Sequence, residues 1–306
     1  MPLFDTCIVV DWSAAAVPKA GRDSIWMAAC TQTGHGDKID FLENPRTRPA
    51  ACDRLHEVLV DAVSRQRRVL VGFDFGFAYP AGMADALWGA GPASPWRRVW
   101  DGLTSGFEDT SENRNNRFQL AEAMTQRADV HPGPFWGKPR THIHSSLPST
   151  RPPFPRPLNG YLLQEYRLVE HRLREQGHYV QSMWKLMGAG AVGGQSLAGI
   201  PYLQRLRDDP CLAAHSAVWP FETDFERRLD TRGRPFVLFA EVWPPLFPVD
   251  ASLHPVRDAA QVLTLARALV RCDARDVLHD RFAAPSDLTV SERDLCVREE
   301  GWILVG

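Results

Sequence analysis

Four carboxylates in this 306-residue chain sit where buried elements end or begin. Asp11 closes the apolar run of "TCIVVDWSAAA", Asp74 closes "RVLVGFDFGFAYP", Glu241 interrupts "PFVLFAEVWP", and Asp258 opens the amphipathic stretch 256–271. An unpaired charge in a buried strand is costly, so each such acid needs a partner or a task. Acids gathered at adjacent strand ends can hold two hard cations close together, which stabilise the attacking and leaving oxygens of phosphodiester cleavage. Each acid also has a plainer reading. A strand-end Asp bonds nearby backbone amides as a turn former, and an acid in a helix's first turn complements the macrodipole. The small residues Ser13 to Ala16 would leave room above the strand end for an ion and a phosphate.

Three further groups could bind rather than react. "NRNNR" and "WGKPR" bring Arg114, Arg117, Lys138 and Arg140 near Trp136 in sequence, a mixture of basic and aromatic residues suited to stacking on single-stranded nucleic acid or to holding a phosphorylated small molecule. The same residues also suit a solvated loop. Gly188-Ala-Gly190-Ala-Val-Gly193 fits GxGxxG, but the parallel strand–helix units of a dinucleotide fold are missing around it. Gly190, Gly193 and Gly194 could still cradle an anion with backbone N–H groups ahead of a helix. His142 and His144 would share one side of a strand, short of a full metal-ligand set.

The elements that must position these residues follow from the hydrophobic pattern. Residues 6–12 are apolar at nearly every position, as in a strand covered on both faces. "SIWMAAC" and "KIDFLE", joined through a glycine-containing turn, predict an antiparallel meander. A helix over 47–66 with Pro49 in its first turn follows, then a second buried strand over 68–74. From about 77 to 160 Gly, Pro, Trp and Arg dominate, which predicts an insertion, about 77–177, covering the site. Residues 97–174 hold 12 Lys/Arg against 8 Asp/Glu, in a chain whose formal charge is -2. Within and after the insertion the pattern predicts helices over 114–127 and 162–177, the latter stopped by Gly177, and a strand over 178–187. It then predicts a helix interrupted at Gly199-Ile200-Pro201, short and long strands at "SAVWPFE" and 235–244, and a helix over 256–271.

Composition excludes several classes. With 44% hydrophobic and 24% charged residues the chain lies in the ordinary globular range and reads as one domain, 1–306. A membrane helix needs roughly 18 to 20 consecutive apolar residues, which no window supplies, and "MPLFDTC" lacks a secretory pattern, so the expectation is a soluble, cytoplasmic protein. Six scattered cysteines without a CxxC pair suggest neither a zinc knuckle nor a disulfide framework. A pI near 6.6 argues against coating nucleic acid by bulk charge.

The order of three strands, a helix, a strand, and later a strand and helix, with acids at the strand ends, resembles the ribonuclease H-like fold. "VVDWSA", "VGFDFGFAYP" and "FAEVWPPLF" are similar to the signatures of an uncharacterised bacterial family of predicted ribonuclease H-like nucleases. The resemblance implies a mixed α/β sheet, antiparallel meander plus parallel strands, flanked by helices. It also implies Mg²⁺- or Mn²⁺-dependent phosphodiester hydrolysis. Asp11 would be the central metal ligand, Asp74 its partner on the adjacent strand, and Glu241 or Asp258 the acid completing the site. Two alternatives stand beside it. One is a protein that binds a nucleotide or phosphorylated cofactor without cutting nucleic acid, since similar proteins have been labelled as acting in molybdenum-cofactor or corrinoid synthesis. The other is an interaction module with a degenerate site.

Overall fold

The computed structural model describes residues 2–126, 133–140, 147–188, 190–227, 229 and 235–304; His142 and His144 lie outside them. The chain opens with β1 (Thr6–Asp11), β2 (Trp26–Thr33) and β3 (Gly36–Glu43). These form the expected antiparallel meander, with Gly34 and His35 as the turn between Thr33 and Gly36. Helix α1 (Arg48–Ser64) follows, its N-cap Thr47 accepting from the Ala50 N–H and Pro49 sitting in its first turn. It leads into β4 (Arg68–Phe73), which pairs parallel to β1.

Between β4 and the next long strand lie α2 (Met83–Trp88), α3 (Pro95–Gly106), α4 (Arg117–Gln126), a hairpin of β5 (Arg156–Leu158) and β6 (Tyr161–Leu163), α5 (Leu168–Glu175), α6 (Val192–Arg207) and β7 (Ser216–Val218). Strand β8 (Phe236–Val242), α7 (Arg257–Ala274), α8 (Val290–Leu295) and β9 (Ile303–Leu304) complete the chain. The sheet runs β3-β2-β1-β4-β8-β7 with β9 against β8, and β4, β7, β8 and β9 pair in parallel. The fold is therefore α/β, with a mixed sheet flanked by helices. None of the helices among the described residues is long and apolar enough to cross a membrane.

Strand alternation sorts the sheet's side chains into two cores. Ile8, Val10, Val71, Phe73, Val237 and Phe239 pack on one face with Leu55 and Leu59 of α1 and Leu197 and Ile200 of α6. Cys7, Val9, Leu70, Leu238, Ala240 and Val242 pack on the other with Ala259, Val262 and Ala266 of α7. Because the side-chain period in a strand is two, the face of every residue near the strand ends follows from this parity.

Three local expectations are corrected. Helix 162–177 is shorter: 161–163 pairs in a hairpin, and α5 starts at Leu168, where the Glu170 carboxylate takes the Arg167 N–H at 2.9 Å. It does stop as expected, with Gly177 at φ 89° donating to the Arg174 carbonyl. Residues 178–187 form no strand; only Lys185 makes an isolated parallel bridge, to Trp136. Helix α6 runs unbroken through Pro201. A proline inside a helix costs about 3 kcal/mol, but Leu197, Ala198, Ile200 and Leu203 are fully buried and tertiary packing holds the helix together.

Candidate functional site

Asp11 is the last residue of β1 and Asp74 the first beyond β4, and these strands are parallel neighbours. The Asp74 N–H donates to the Val10 carbonyl at 3.1 Å, carrying the ladder one residue further. Parity with Val9 and Leu70 turns both carboxylates toward the α7 face. There the two carboxyl groups lie close enough to perturb each other, and Asp74 Oδ1 accepts the Trp12 N–H at 2.7 Å. Burial first, and then the neighbouring Asp74 charge, hold the Asp11 carboxyl far above the usual range. Burial likewise lifts Asp74 to about 6, although the hydrogen bond from the Trp12 N–H opposes the rise. Asp258, in the first turn of α7, adds its negative charge to both. Its Oδ2 accepts the Asp23 N–H at 2.6 Å.

Glu241 does not join this group. It stands in register with Phe73, which is paired with Val10, so it belongs to the opposite face of the sheet. Its carboxylate is occupied by Arg167, whose Nη1 and Nη2 donate to it at 2.8 and 2.6 Å, and by the Phe77 N–H at 3.0 Å. The expectation that Glu241 completes a ligand set with Asp11 and Asp74 is thus corrected by strand parity. Arg167 also holds Glu170. Burial, helped by the Glu241 charge, raises Glu170 to about 7 although Arg167 opposes the rise.

The loop after Asp11 is pinned open. Trp12 turns to the other face, 2% exposed, and its Nε1 donates to the Ala198 carbonyl at 3.1 Å. Gln195 Nε2 donates to the Trp12 carbonyl at 2.7 Å. The fully buried Arg48 donates to the carbonyls of Ser13 at 3.0 Å and Ala15 at 2.7 Å, and its charge is met by Asp109 at 2.6 Å. This residue escaped the sequence reading, yet it left a signal: an arginine in a helix's first turn opposes the macrodipole and needs another reason to be there.

Two cavities flank the aspartate pair. One, of about 590 Å³, is lined by Asp11, Ser13, Lys19, Asp23, Arg117, Gly188, Gly190 and Asp258 among others. The other, of about 600 Å³, is lined by Asp74, Arg167, Glu170, Tyr179, Met183, Gly190, Glu241 and Trp243 among others. The chain from 178 to 192 contributes to both, so the roof lies largely beyond the 77–177 segment expected to supply it. Of the basic and aromatic candidates, only Arg117 reaches either cavity. Arg114 and Arg140 are exposed elsewhere, Lys138 is half-buried, and half-buried Trp136 lies beside Lys185 at 5.8 Å from its ring centre.

The glycine-rich stretch is divided in role. Gly190, at φ 68°, borders both cavities. Gly193 and Gly194 are buried, and a Cβ on them would meet the carbonyl oxygens of Met183 at 2.3 Å and Leu186 at 2.7 Å. Their lack of a side chain is explained by close packing of α6 on 183–186, and unlike Gly190 neither lines either cavity.

Among the described residues no three His, Cys, Asp or Glu side chains form a group that could hold a metal ion. Asp11 and Asp74 nevertheless offer adjacent hard oxygen ligands, whose mutual repulsion a cation would relieve. No family model matches the chain, and neither a curated protein nor a solved structure shows significant similarity to it.

Proposed function

We propose that the chain is a divalent-cation-dependent phosphodiester hydrolase built on a ribonuclease H-like sheet. The observation that carries this reading is the placement of Asp11 and Asp74 side by side at the ends of adjacent parallel strands. The strand order β3-β2-β1-β4-β8 supports the fold assignment. Asp11 and Asp74 would hold Mg²⁺ or Mn²⁺, with Asp258 facing them from α7. When bound, such an ion polarises a phosphoryl oxygen and makes its water a nucleophile near neutral pH. The chain's own work is positional. Trp12 N–H orients Asp74, Arg48 fixes the Ser13–Ala15 loop that lines the cavity, and α7 brings Asp258 to it. Glu241 is assigned a structural role, as Arg167's counter-ion.

The test is calorimetric titration with Mn²⁺ together with hydrolysis of bis(p-nitrophenyl) phosphate. Asp11→Asn and Asp74→Asn should each weaken Mn²⁺ binding by more than the roughly 10–100-fold typical of losing a mere supporting residue, and should abolish turnover. Unchanged Mn²⁺ binding in both variants would sink the reading.

A further inference from the structure

The cavity in front of Asp11 is lined both by acids and by an under-neutralised cation. Arg117, in the first turn of α4, lines it together with Lys19. Arg117 is half-buried, and its Nε is enclosed without any hydrogen-bond partner. Its Nη1 reaches only the neutral amide oxygen of Asn115, at 2.9 Å, and the guanidinium rests 4.4 Å from the centre of the Phe118 ring. The nearby carboxylate, Asp109, is already engaged by Arg48 through two bonds of 2.6 and 2.9 Å and by the Tyr202 hydroxyl at 2.9 Å. Two guanidinium groups thus share one carboxylate. Burial, and next the Arg48 charge, push Arg117 down to about 10. A desolvated charge lacking its counter-ion is unfavourable unless something else supplies the anion.

Two acids of the same cavity are already engaged: Asp23 pairs with Lys19 at 3.5 Å, and Asp258 accepts the Asp23 N–H. Ala191, the N-cap of α6, also borders the cavity, which adds the positive end of that helix to the basic wall.

We propose that the cavity is a phosphoryl-binding subsite in which Arg117, assisted by Lys19, receives a phosphate group adjoining the one placed at Asp11 and Asp74. The choice of phosphoryl over carboxylate rests on the hydrolase reading; the anion site itself does not. A planar guanidinium with unused donors matches the oxygens of either group, and neighbouring phosphoester chemistry selects the phosphoryl. The volume of about 590 Å³ suits a nucleotide-sized ligand. A long single strand would need a continuous basic track, whereas Arg114, Lys138 and Arg140 do not line the cleft. The substrate class is therefore a compact phosphoester with a second phosphate next to the scissile one, such as the end of a short oligonucleotide or a small bisphosphorylated molecule.

The experiment is calorimetric titration of the full chain with inorganic phosphate and pyrophosphate in the presence of a chelator, so that neither metal binding nor turnover enters. Wild type should bind both. Arg117→Gln should weaken binding about 10–100-fold, the scale of a charged hydrogen bond, and Lys19→Gln up to about fivefold. Asp11→Asn should bind phosphate as well as wild type or better, because it adds no negative charge to the cavity and leaves Arg117 and Lys19 in place. Lys19 is on the surface, so its variant reports even if Arg117→Gln unfolds. No phosphate binding to wild type, binding unchanged in both cation variants, or binding lost in Asp11→Asn would each overturn the subsite. A 5′-phosphorylated dinucleotide and a small bisphosphate, titrated in parallel, tell the two sources apart. Failure of the hydrolase reading would appear separately, as Mn²⁺ binding indifferent to Asp11→Asn.

Discussion

The Asp11–Asp74 pair combines two carboxylates that water would keep apart, and the fold bears the cost. An aspartate held above its ordinary value of 3.8 binds its proton more tightly folded than unfolded, so stability is greatest below that value and falls as the unfolded chain ionises. For Asp74 the loss runs from pH near 3.8 to about 6 and then levels off. Asp74→Asn should therefore flatten the stability profile between these limits and, without metal, raise stability at pH 7 by on the order of 2 kcal/mol. Denaturant unfolding across this pH range checks it, and a wild-type profile that does not fall would show that the pair is not strained. The gain would come at a functional residue, where stability and activity commonly oppose each other.

At the scale of elements, the decisive contact is between α6 and the irregular chain 183–186. This chain lies close enough to the first turn of α6 that Gly193 has no room for a methyl group: a Cβ would stand 2.3 Å from the Met183 carbonyl oxygen and 2.7 Å from that of Lys185. Alanine is ordinarily about 1 kcal/mol better than glycine within a helix. Backbone oxygens cannot swing away as a flexible side chain can, so overpacking wins and Gly193→Ala should destabilise by about 1–3 kcal/mol. Gly34→Ala, where nothing lies within 4 Å, should change stability by less than about 0.5 kcal/mol. Unfolding midpoints of the two variants decide the matter, and a neutral Gly193→Ala would mean that α6 is not seated as described. The GxGxxG pattern thus records a packing need at its last glycine, while Gly190 is left beside the cleft.

Across the whole molecule, one buried charge node joins segments that are far apart in sequence. Arg167 binds Glu170, Glu241 of the central sheet and the Glu300 carbonyl. The Glu300 carboxylate takes the N–H groups of Ala81 and Leu168, and Glu299 takes that of Gly82. The segment after β4, the start of α5, strand β8 and the C-terminal region are fastened together behind the site. Removing one partner of a buried pair costs about 3–5 kcal/mol, so Glu241→Gln should lower stability by that order. It should leave Mn²⁺ affinity within about twofold of wild type. Chemical denaturation and Mn²⁺ calorimetry on the same variant check both halves. A large loss of Mn²⁺ binding with intact stability would restore Glu241 as a ligand.

What was legible in the sequence is what depends on short-range periodicity. The meander, α1, β4, β8 and α7 declare themselves through uninterrupted apolar runs or helical spacing, and Asp11 and Asp74 stand out because they end such runs. Their mutual contact also followed, since strands joined by one helix commonly lie side by side in parallel. The face on which Glu241 emerges did not. It depends on the register between β8 and β4, a long-range pairing in which a shift of one residue exchanges faces. Nor could local sequence reveal that Arg117 alone among the expected basic residues turns into the cleft, or that Arg48 and Arg167 are buried counter-ions. Such roles depend on which distant carboxylates the tertiary structure brings near each arginine, and a charge's cost or benefit is set by that neighbourhood rather than by its own position in the chain.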